Sequence, residues 1–146
     1  MRRPTGDHGT IGILVLGFTV ILLLLIVVVV DVSAVILARR GAASTADGAA
    51  VAAAQQLDTA AVYANGLGGG AIPLSPEAVD DVVATYEADA GDAQPGLRLV
   101  PSLDATGTIA IVVARRRVPL PFVSWFGIRD VTVTAVAKAR APLVAP

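Results

Sequence analysis

The sequence contains no cysteine, and among its 146 residues there is one histidine, one tryptophan and one lysine, with aromatic residues at only 4%. Without cysteine there are no disulfides, thiolate nucleophiles or thiolate-bound metals, and the redox compartment is left open. The single histidine, His8, stands in a short polar leader. Neither a Ser/His/Asp triad nor a multi-histidine metal site can therefore form in the body of the chain. Charge of one sign is also lacking: 11 basic residues against 12 acidic ones leave a formal net charge of −1. That balance argues against a general attraction to nucleic acid. No enzymatic activity, cofactor, metal or small-molecule substrate is expected.

What the chain does have is aliphatic mass. It is 55% hydrophobic, mostly Ala, Val, Leu and Ile, with a mean hydropathy of +0.73. Its length suits one small domain with an appendage. Residues 11–30, IGILVLGFTVILLLLIVVVV, carry no charge. At about 1.5 Å per residue, twenty helical residues span the roughly 30 Å hydrocarbon core of a bilayer, which predicts a membrane helix. The flanking charges nearly tie, with Arg2, Arg3 and the terminal amine on one side and Arg39 and Arg40 on the other. The short N-terminal leader is expected inside, and the longer C-terminal part outside the cytoplasm. A cleaved signal peptide is the rival reading, since Val32-Ser33-Ala34 offers small residues, but the apolar run exceeds the usual length of about 7 to 15 residues. The predicted layout is a leader over 1–10, a membrane helix over 11–38, an Ala-rich helical extension over 39–65, a Gly-rich linker over 66–74 and an α+β domain over 75–146.

In the extension, Ala46, Ala50, Ala53, Leu57, Ala60 and Ala64 recur at steps of four and three, a heptad-like stripe. Ala34, Ala38, Ala42, Ala46, Ala50 and Ala54 form a second ridge at steps of four, and small ridges let helices approach closely. One reading is that alanine is simply the best helix former. The other is that the stripe is a packing face for other helices. Continued from Thr10 to Asn65, the helix would be about 80 Å long, with Gly41 and Gly48 as places to bend.

Asp31 lies inside this apolar stretch, with VSAVILA between it and Arg39-Arg40. A carboxylate at the centre of a membrane helix costs roughly 2.5 to 3.5 kcal/mol, less near the interface. It reads either as a headgroup-level residue at the outer boundary or as a charge that pairs with a basic group of a neighbouring subunit.

The remaining sequence predicts a small antiparallel sheet covered by a helix. GLGGG, residues 66–70, lacks the context of a phosphate loop and reads as a hinge. Ser75 as N-cap, Pro76 at the first helical position and Glu77 in the first turn signal a helix, with Val79, Val82, Val83 and Tyr86 as its apolar face. Strands are predicted over 97–103, 108–118 and 131–140, the first two joined by the turn Asp104-Ala105-Thr106-Gly107. Residues 75–104 hold seven acids against Arg98, and 105–146 six bases against Asp130, so the two halves are expected to attract one another. Arg115, Arg116 and Arg117 are assigned to a solvated strand end or to pairing with the acidic helix, with lipid headgroups or a neighbouring subunit as the alternative. Phe122, Trp125 and Phe126 are expected to plug the core, with a partner-binding patch as the alternative.

The segments GTIGILVLGF, VVDVSAVILARRGAASTADGAAVAAAQQL and IAIVVARRRVPLPFVSWFGIRDVTVTAVAKARA together resemble TadE/TadG-like proteins, the pilin-like components of tight-adherence (Flp) pilus assembly systems. The family's Asp before a basic pair and its Asp within an alanine-rich segment are matched by Asp31, Arg39, Arg40 and Asp47. The resemblance implies a pilin-like protein of the bacterial cytoplasmic membrane, single-pass, whose partners are the lipid bilayer and other pilus-assembly subunits. Gly6 and Gly9 are followed five residues later by Ile11 and Leu14, not by the Glu usual in processed prepilins, which points to a minor or accessory role. The expected contact residues are Asp31, Arg39, Arg40, Ala46, Asp47, Ala50, Ala53, Leu57, Phe122 and Trp125. The alternative function is a membrane-anchored or secreted binding module with no part in a filament.

Overall fold

The computed structural model describes residues 8–65, 72–120, 122, 127 and 130–142. The leader before His8, the glycines at 66–70, Trp125 and Phe126 lie outside the described residues. The longest element is the helix α1 (His8–Ala53), 46 residues and so about 70 Å. It is followed by α2 (Thr59–Asn65), α3 (Pro76–Ala90), β1 (Leu97–Leu103), β2 (Ile109–Pro119) and β3 (Asp130–Arg140). The strands form one antiparallel sheet in the order β1-β2-β3, and α1 and α3 pack together on one of its faces. The fold is α+β.

Alanine spacing determines how α1 sits on the sheet. Ala38, Ala42, Ala46, Ala50 and Ala54 are all buried, together with Ala49 and Ala53. In the upper half of the seat the alanines of α1 pack with Ala110, Val112, Ala114 and Ala137 of the sheet and with Val79 and Val83 of α3. Lower down, Ala38 and Val35 meet Val118 and Val133. Each methyl contributes little, about 0.8 kcal/mol, but alanine loses no rotamer freedom when buried. Methyl-sized side chains also bring the helix backbone close to the strands.

Two glycines that the sequence offered as bends serve this close approach instead. The helix runs through Gly41 and Gly48 without interruption. A Cβ at Gly48 would lie 3.2 Å from Tyr86 Cε1, and one at Gly41 would lie 3.2 Å from Gln94 Oε1. Tyr86 is therefore not in the core but rests its ring on the helix. Gln94 donates from Nε2 to the Thr45 hydroxyl at 2.7 Å, which ties the end of α3 to α1.

The rod also ends earlier than its composition suggested. After Ala53 the chain turns, and the Leu57 backbone bridges Leu74. Asp58 N–H donates to Pro73 O at 2.9 Å, and Ser75 N–H to Gln56 O at 2.9 Å. Asp58 Oδ1 then accepts from Ala61 N–H at 2.9 Å and caps α2. Ala60 and Ala64 consequently fall on a separate short helix, exposed to solvent.

The head otherwise follows its local signals. Ser75 caps α3 with Pro76 in its first turn, and Val79 and Val83 are buried beneath it. In the β1–β2 turn, Gly107 adopts φ +68°, and its N–H donates to Asp104 O at 3.0 Å. The Asp104 carboxylate accepts from the Thr106 hydroxyl and from the N–H groups of Ile109 and Thr108. These bonds, the Thr106 hydroxyl foremost, hold its pKa down to about 2 from an ordinary 3.8.

Two outcomes are expected. Ala50→Leu, which forces an isobutyl group between α1 and the sheet, lowers the stability of the detergent-solubilised protein by about 1 to 3 kcal/mol in thermal unfolding. The exposed Val51→Leu changes it by less than about 0.5 kcal/mol. The Asp104 contribution is fully present above its unfolded pKa and is lost as pH falls through the folded value. Melting temperature should accordingly drop between pH 3.8 and 2, and Asp104→Ala should flatten part of that drop.

Candidate functional site: the anchor–head junction and the covered helix face

From Ile11 to Val30 nearly every large side chain of α1 is exposed, and the most apolar window of the helix buries nothing against the rest of the chain. Among the described residues, this is the one helix long and apolar enough to cross a membrane. Its few polar side chains are satisfied within the helix: Thr19 Oγ1 donates to Val15 O at 2.8 Å, and Ser33 Oγ to Val29 O at 2.7 Å.

Asp31 marks the point at which the bare helix becomes covered. It is 4% exposed, the one buried charged residue among those described. Around it are Val28, Val32, Val35, Ile36 and Leu120, the last reaching over from the residue after β2. Asp31 has an interaction of its own within the structure. It therefore does not stand at the outer boundary facing headgroups or solvent. The turn of helix on which it sits is where the head begins to lie against α1.

The other expected contact residues fall into separate groups. Arg39, Arg40 and Asp47 are exposed. Arg40, Ser44, Asp47 and Val51, at steps of four, three and four, line the outward side of α1. Ala46, Ala50 and Ala53 are 0 to 1% exposed, so the stripe taken as a face for other helices is already occupied by this chain's own sheet and α3. Leucine substitutions along it would disturb the fold before any assembly. Leu57 is half-buried in the bridge to Leu74. Phe122 does not plug the core, being 48% exposed, and Trp125 lies outside the described residues. The spacing of the alanines showed which face is apolar but carried no information about what covers it.

The head has one open groove of note, between α3 and β1, bordered by Asp80, Val83, Glu87, Leu97, Arg98 and Pro101. Its two convergent charges satisfy each other. Arg98 Nη1 donates to Glu87 Oε1 at 2.7 Å, and Leu99 N–H donates to Glu87 Oε2 at 2.7 Å. The Leu99 bond, with Arg98 adding to it, holds the Glu87 pKa below the ordinary value. This arrangement also occupies the first donors on the free edge of β1. Leu97 N–H goes to Gln94 O at 3.1 Å, Leu99 N–H to Glu87, and Pro101 has no N–H to offer. Among the described residues, no three His, Asp or Glu side chains gather as a metal site.

The fold defines a class: small α+β proteins in which one continuous helix is bare and apolar at its N-terminal end and forms the spine of the head at the other. Residues 9–56 match the family described as putative Flp pilus-assembly TadE/G-like. The match covers nearly all of α1 and the break after it, about a third of the chain, and stops before α3 and the sheet. No curated protein and no solved structure matches the chain.

Replacing Asp31 tests the junction. Asp31→Ala should cost about 1 to 3 kcal/mol and lower the hydrogen-exchange protection of the amides at Val118 and Leu120. A headgroup-level carboxylate would leave both unchanged.

Proposed function

We propose that this protein is a non-enzymatic, pilin-like component of a Tad/Flp-type pilus-assembly machine or a related secretion apparatus. It spans the bacterial cytoplasmic membrane once, with its N-terminus inside and the head outside. The observation that carries this reading is the coincidence of the family match over 9–56 with α1, the one element that is anchor at one end and core of the head at the other. A helix of this kind transmits the position of the membrane segment directly to the displayed domain, as an assembly subunit requires. Arg39 and Arg40 then sit just above the membrane on the open side of the helix, available to lipid headgroups or to a neighbouring subunit. The mechanism is association, with no reacting group.

Because the chain has no cysteine, its topology can be read with single introduced thiols. Ser102→Cys should react with a membrane-impermeant maleimide on intact spheroplasts, and Thr5→Cys only after permeabilisation. Deleting the gene should abolish surface pili, and the full-length protein should restore them. Pili of normal number in the deletion strain would remove the assembly role and leave an anchored binding module.

A further inference from the structure

The charges expected to attract each other within the chain are placed on opposite sides of it. Because α1 and α3 share one face of the sheet, no helix or strand among the described residues covers the other face. Strand alternation places Arg98, Arg115, Arg117, Lys138 and Arg140 there, all exposed, with Asp130 alone among acids at the far end. Between them lies an apolar row. Val100 pairs with Val113, and Val113 with Val136, so the three valines stand side by side across all three strands. Val100 is 50% and Val136 58% exposed.

The outward side of α3 has the opposite sign. α3 turns Val79 and Val83 inward and leaves Glu77, Asp80, Asp81 and Asp89 exposed, with Asp92 just beyond its end. Among the described residues, the only ion pair within 4 Å is Glu87 with Arg98, at the rim where the two sides come nearest. Apart from Arg116, whose register places it on the helix-covered face, the bases of the sheet and the acids of α3 are kept apart by the sheet and the helical layer. Within one head they cannot meet, but between two heads they can.

We propose that heads of successive copies of this chain stack, the basic, valine-striped sheet face of one against the acidic α3 face of the next. The contact joins two different patches, so it does not close on a dimer and extends as a row. It is also compatible with the anchor. Since α1 lies flat on the sheet, a shift along the sheet normal leaves neighbouring membrane helices parallel and abreast. The face is better suited than the strand edge at β1, whose donors are already engaged. This stacking rests on the reading of the chain as an assembly subunit and names the surface through which it assembles.

The full-length protein in membranes provides the test. A Val113→Cys, Ala84→Cys double variant treated with a short bismaleimide should give a ladder of dimer, trimer and higher species, and neither single variant should. Adding Arg115→Glu and Lys138→Glu should reduce species above the dimer by about tenfold, because like charges then oppose. Further addition of Asp80→Lys and Asp81→Lys on the same chain should restore them, which shows that the reversed chains still fold. A dimer from Val113→Cys alone, absence of the ladder in the double variant, or a ladder indifferent to charge reversal overturns the proposal. A ladder in a protein dispensable for pili sinks the pilus reading while sparing the stacking. A protein needed for pili that forms no ladder does the reverse.

Discussion

The structure depends on the close seating of a methyl-sided helix on a sheet. Ala42, Ala46, Ala49, Ala50 and Ala53 bring the backbone of α1 near β2 and β3, and α3 fills the remaining space beside it. Alanine is the side chain that allows this, since it buries surface without rotamer cost and leaves no bulk to hold the backbones apart. Because the helix that enters this seat is also the apolar rod, the head has no hinge relative to the anchor at Gly41 or Gly48. The glycines instead admit Tyr86 and Gln94.

Asp31 is explained by the same seating. Along α1 the surroundings change from none within the chain to a cover supplied by the head, and Asp31 stands on the turn where that change occurs. A buried charge in a purely lipid setting would be costly. Beside Leu120, with an interaction of its own, Asp31 is enclosed by the chain itself. Asp31 and Arg39-Arg40 are thus separate features, one buried and one exposed, and not two halves of a single contact.

The head carries its own logic, outside the segment that matches the family. Glu87 binds both the Arg98 side chain and the Leu99 N–H, and with Gln94 and Pro101 it leaves no free donor on the β1 edge from Leu97 to Pro101. With those β1 donors occupied, the head still presents the outer edge of β3 and two broad sides, the sheet face basic and the outward side of α3 acidic. A small domain with an edge unavailable and complementary faces is suited to stacking more than to strand exchange.

The sequence by itself determined the elements and which side of each is apolar, because those follow from spacing along the chain. β1 falls on 97–103 as expected, β2 and β3 within a residue of expectation, and α3 begins at the Ser75 cap. The four-residue alanine ridge from Ala34 to Ala54 was legible as a packing face, but from Ala38 onward it is buried against this chain's own head and not against helices of other subunits. The tertiary structure alone decided what lies against that face, where the rod ends, and that Asp31 is enclosed while Phe122 is not. The break after Ala53 had a weak local trace in the Asp58 cap, but it depends on backbone bonds from Gln56 and Asp58 to residues 73–75, distant in sequence. Periodicity states that a surface must be covered; only the folded chain supplies the cover, because pairing between remote segments is a property of three-dimensional packing and leaves no repeat in the sequence.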